Sequence, residues 1–170
     1  MATALLITTA HYSNFELTKQ WFSELGIGKT AGLFRISFII ISIGIFPSML
    51  LLGQRLKKIG LAIICLVNWM ALLSIGIYPM IKISPTQFTE HNISVILFFG
   101  TFLILILASV LKSTPRHWMF YTSLVAIILM GAYYIVSATS DSIMAQKIAI
   151  LACAVYYPSI IIWVTGPNPD

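Results

Sequence analysis

Glu24, Arg35, Glu90, His91, Asp141 and Lys147 are the side chains of this sequence hardest to explain as packing. Each stands near the edge of a long apolar run, where an ionisable group is costly and marks a functional site by default. Arg35 lies about one turn inside its run, and Lys147 is similarly deep in the last one, beside Gln146. Glu90 and His91 open another run, Asp141 precedes the last, and Ser23 adjoins Glu24. Arg35 or Lys147 paired with Glu24, Glu90 or Asp141 would make either an ion pair that locks helices or a polar pocket. Asn68 would add a hydrogen bond from deeper in the membrane. Snorkelling of the two cations to the interface is the alternative, since both lie near helix ends.

Other chemistries find less support. His91 beside Glu90 has the make-up of a general base with an acid. A His at a helix start is more often a satisfied polar residue, so no catalytic residue is assigned. His11, His91 and His117 are scattered, with no HxxxH or HExxH spacing, and no metal site or cofactor is expected. Ser23 lacks the GxSxG context of a hydrolase elbow. Cys65 and Cys153 each lie in an apolar run without a CxxC spacing and read as small buried hydrophobes. Asn92-Ile-Ser94 is a glycosylation sequon too near the membrane to carry weight.

The elements that must position these residues follow from composition. Of 170 residues, 59% are hydrophobic and 9% charged, with a mean hydropathy of +0.96. Soluble domains are about a quarter charged, so a soluble enzyme, a disordered chain and a nucleic-acid-binding domain are excluded. A spanning helix needs about 20 mostly apolar residues. Five runs meet this, at about 31–53, 59–81, 92–111, 117–138 and 144–165. Helices are the default because every backbone polar group in lipid must be satisfied internally. A sixth, short span is expected over 2–15. Next come a capping box at Ser13 and Glu16 and apolar residues Phe15, Trp21, Phe22 and Leu25 at helical spacing, with Gly26 as a stop. That pattern predicts a short amphipathic helix over 14–25 lying in the interface with its aromatics toward lipid. The expected fold is all-α: one transmembrane bundle of six helices over 1–170. The N-terminus has no basic residue, so a cleaved signal peptide is not expected.

The net charge is +5, and the connections at 54–58 and 112–116 carry five bases and no acids. Basic residues concentrate in short cytoplasmic loops. These two loops and the C-terminus are therefore expected in the cytoplasm of a cell-membrane protein, which puts the polar cluster on the outer side. Trp118, Tyr121 and Trp163 would line the inner interface, and Tyr78, Tyr133 and Tyr134 the outer one. Arg55, Lys57 and Lys58 could attract anionic headgroups, but three bases are too few to imply specific recognition.

Short motifs also resemble a known family. Phe22-Ser23-Glu24-Leu25-Gly26 is similar to the Ser-Asp/Glu-Leu-Gly motif of the membrane family called domain of unknown function 998. His91 before an apolar run resembles that family's histidine, and Gln146-Lys147 resembles its Glu/Gln-Arg pair, with Lys in place of Arg. A DRAM-like relative carries a comparable Ser-Asp-Thr-Gly element. The resemblance covers about 12–165 and implies six helices. It singles out Ser23, Glu24, Gly26, His91, Gln146 and Lys147, which coincide with the cluster found from topology. The leading expectation is a non-enzymatic membrane protein with a lipid or small-molecule site at Ser23, Glu24, Arg35, His91, Gln146 and Lys147. Its expected partners are membrane lipids, with a homo-oligomer compatible and nucleic acid excluded. An intramembrane lipid hydrolase using His91 and an acid, or a small oligomeric transporter, are the alternatives.

Overall fold

The computed structural model describes residues 16, 20, 22–26, 28–78, 85–113, 117–139 and 142–166. They form five α-helices: α1 (Ala31–Arg55), α2 (Ile59–Ile77), α3 (Pro85–Lys112), α4 (Trp118–Ala138) and α5 (Ser142–Thr165). All five contain a stretch long and apolar enough to cross a membrane, and no strand occurs among the described residues. The expected first span at 2–15 lies outside the described residues.

Local chemistry explains where the ends differ from expectation. α2 stops at Ile77 rather than Ile81 because Tyr78 precedes Pro79. A residue before proline is pushed out of the helical region, and Tyr78 sits at φ −104°, ψ 86°. α3 starts at Pro85, seven residues before the apolar run, because proline suits the first helical position and the polar turn that follows needs no lipid-compatible surface. The interfacial helix over 14–25 is corrected in its described part. Phe22–Gly26 and Gly28–Thr30 are two short 3-10 turns, and Leu25 is fully buried rather than interfacial. Gly28, at φ 70°, takes the left-handed bend that separates the turns. The Thr30 hydroxyl donates to the Leu25 carbonyl at 2.8 Å, holding both turns against the start of α1. Upstream, the Gln20 N–H donates to the Glu16 carbonyl at 3.0 Å, and the Glu16 N–H donates to Gln20 Oε1 at 2.8 Å.

Consecutive helices pack as antiparallel neighbours, and α5 returns to α1. Half of α5's most apolar stretch is buried against 22% of α4's, which makes α5 the central helix and α4 the outermost. α4 turns Met119, Ser123, Ala126 and Met130 inward at helical spacing. α5 offers Ala145, Ala149 and Ala152, small residues that allow close approach. Close approach also governs the α1–α2 pair, where a methyl group on Gly76 would meet Phe38 Cβ at 2.6 Å. At the other end of that pair, one on Gly53 would meet Ala62 at 3.1 Å.

Candidate functional site

Asn68 is the central residue of α2, a 19-residue helix about 28 Å long that matches a hydrocarbon core of about 30 Å. Its amide is almost wholly buried. Nδ2 donates to the Phe98 carbonyl and to Thr101 Oγ1, both at 2.9 Å, and Oδ1 accepts the Tyr157 hydroxyl at 2.7 Å. The Thr101 hydroxyl passes its own proton to the Leu97 carbonyl at 2.6 Å. One amide thereby joins α2, α3 and α5 with every polar atom used. Such a bond inside a membrane contributes about 0.6 to 2 kcal/mol. Phe98, Phe102, Tyr156 and Tyr157 pack ring on ring beside it. Tyr156 completes the core with a 2.6 Å hydrogen bond to Ser109 Oγ.

This node sets the levels of the other polar groups. Tyr78 lies ten residues from Asn68 and His91 ten from Thr101, so both stand about 15 Å from the node at one boundary. They meet there: His91 Nδ1 lies 2.7 Å from the Tyr78 carbonyl. A carbonyl only accepts, so Nδ1 carries the proton and the imidazole is oriented by the end of α2. The Arg35 carbonyl lies 3.7 Å from where a side chain on Gly76 would begin, which puts Arg35 at the same level. Lys147, ten residues from Tyr157 on that same side, donates from Nζ to the Gln20 carbonyl at 3.2 Å.

The expected site residues are thus distributed around one end of the bundle. His91 is buried against α2, and Lys147 ties α5 to the segment before the 3-10 turns. Arg35 is exposed, while Glu24, Gln146 and Lys147 are half-buried. Ser23 lies in the first 3-10 turn, and its side chain is outside the described residues, as is Asp141. Glu90 is half-buried, its carbonyl accepting the Ser94 hydroxyl at 2.8 Å. Among the described residues, no three His, Cys, Asp or Glu side chains group as metal ligands, and both thiols are buried and free.

At the opposite end, two features went unread in the sequence. Arg55 Nη2 donates to the Gly166 carbonyl at 3.0 Å, and its guanidinium lies 5.4 Å from the centre of the Trp163 ring. Trp163 is therefore buried under a cation instead of lining the interface. Trp118, Tyr121 and Tyr134 are exposed, as expected of belt residues, while Tyr133 is half-buried against Phe99. Tyr157 was not legible as Asn68's partner because a tyrosine in an apolar run reads as core. The adjacent Pro158 was the only local signal, and it points to a kink rather than to a bond.

No curated protein and no solved structure matches this chain. One family model does, over residues 1–166, nearly the whole chain. With five membrane-length helices and the motif residues placed around one end of them, this multi-pass helical protein belongs to the family described as protein of unknown function DUF998.

Proposed function

We propose that the protein is a non-enzymatic multi-pass protein of the cell membrane that holds a lipid by its headgroup at the outer face. Ser23, Glu24, Arg35, His91, Gln146 and Lys147 form the site. The observation that carries this reading is the level and exposure of Arg35. Its guanidinium side chain is exposed at the hydrocarbon boundary, level with the His91–Tyr78 bond. Arginine offers a planar fork of donors that matches a phosphate. Lys147, through the Gln20 carbonyl, holds the chain segment that carries Glu24 beside the start of α5. His91 braces the α2–α3 end that flanks Arg35. The density of bases at 54–58 and 112–116 supports an orientation with the opposite end toward the cytoplasm.

The test is to purify the full chain in mild detergent and identify co-purifying lipids and metals by mass spectrometry. Wild type is compared with Glu24→Ala and His91→Ala, each checked for helix content. A lipid class enriched in wild type and lost in both folded variants is the expected result. Equal lipid content in all three would overturn the reading and leave the cluster as a helix-locking network.

A further inference from the structure

The end of the bundle opposite His91 carries a second, separate set of cations. Lys58 lies ten residues from Asn68 and Lys112 eleven from Thr101, so both stand about 15 Å from the node on that side. α2 and α3 are packed neighbours, and their ends share this level. Lys57, Lys58 and Lys112 are all exposed. Next to them along the chain, Ile59 and Leu111 are each 85% exposed. Each helix end thus sets a bare aliphatic side chain next to an ammonium group, with the aliphatic residue on the side of the helix interior. Trp118 and Tyr121 extend the same rim along α4.

Lys57 adds an independent observation. It is the one non-glycine residue with positive φ among the described residues, at 51°. It follows the α1 C-cap, Leu56, where glycine is the usual occupant because a side chain is disfavoured in that conformation. A lysine is held there against its backbone preference, and its cation lies at the negative end of the α1 dipole. Arg55 does not belong to the rim, since its guanidinium is committed to Gly166 and Trp163.

From this we infer that Lys57, Lys58 and Lys112 form a binding rim for anionic phospholipid headgroups in the leaflet facing the α1–α2 turn. Three bases in a single turn would be a weak attractor. Here they are spread over two adjacent helix ends at one depth, with apolar footing for the acyl chains.

The experiment uses the full chain in mixed micelles of phosphatidylglycerol and phosphatidylcholine, with retained lipid counted by native mass spectrometry. The variants are Lys57→Gln, Lys58→Gln and Lys112→Gln, singly and together. All are also made in an Arg35→Gln background, so that the two ends are read separately. Each lysine near an anionic surface contributes enough for about a five-fold preference, and the triple variant should lose about a hundredfold. Lys57→Gly should fold at least as stably as wild type yet lose its share of the preference. Added salt should weaken the wild-type preference. A phosphatidylglycerol preference that survives the triple substitution in the Arg35→Gln background would overturn the inference and leave these lysines to topology alone.

Discussion

The middle of this bundle and its His91 end treat polar groups in opposite ways. At the middle, Asn68, Thr101 and Tyr157 use every side-chain donor on one another or on carbonyls, and all but Thr101 are buried. At the His91 end, Arg35 is exposed and Glu24, Gln146 and Lys147 are only partly covered. A satisfied polar node in lipid joins helices and leaves nothing for a ligand. Polar groups at the end of a bundle that stay exposed, as Arg35 does, can still meet a headgroup. The difference separates residues that build this fold from residues proposed to work on it.

If that division is right, substitutions should sort by level. Asn68→Leu should have the largest effect on stability, about 3 kcal/mol, because it removes three hydrogen bonds and strands the Tyr157 hydroxyl. Denaturant or thermal unfolding in detergent measures it, and a loss below about 0.5 kcal/mol would dissolve the contrast. Gly76→Ala should come next, at about 2 kcal/mol, since the new methyl meets Phe38 at 2.6 Å. Gly44→Ala, which meets open space, is the matched control and should be neutral or slightly stabilising. Arg55→Met should cost about 1 kcal/mol by the same assay, from the lost Gly166 bond and the uncovered Trp163 ring. The smallest stability effect belongs to Arg35→Gln, within about 0.5 kcal/mol of wild type, because the side chain is exposed.

Much of the fold was legible because an apolar run of membrane length has few alternatives. Five runs in the sequence became five helices, each overlapping its expected range. The ends were harder, since they depend on backbone chemistry that hydropathy ignores. The dipeptide Tyr78-Pro79 shortens α2, and Pro85 lengthens α3 through a polar turn. The segment before α1 misled because Leu25 fits an amphipathic pattern, yet the chain breaks into two 3-10 turns around Gly28 and buries it. Of the candidate site, the residue types and the end of the bundle that Arg35, His91 and Lys147 share were readable from topology. The partners were not. His91 bonding to Tyr78, Lys147 to Gln20 and Tyr157 to Asn68 all depend on how neighbouring helices are rotated, which no single apolar run encodes.

Arg35→Gln puts the central claim to its most direct test. The folded variant and wild type would be extracted in parallel, and bound phospholipid per chain counted by native mass spectrometry at matched protein concentration. The account predicts an unchanged melting transition with loss of the lipid held at the His91 end. Wild-type occupancy of that lipid on Arg35→Gln would contradict it, because the exposed guanidinium level with the His91–Tyr78 bond would then be idle.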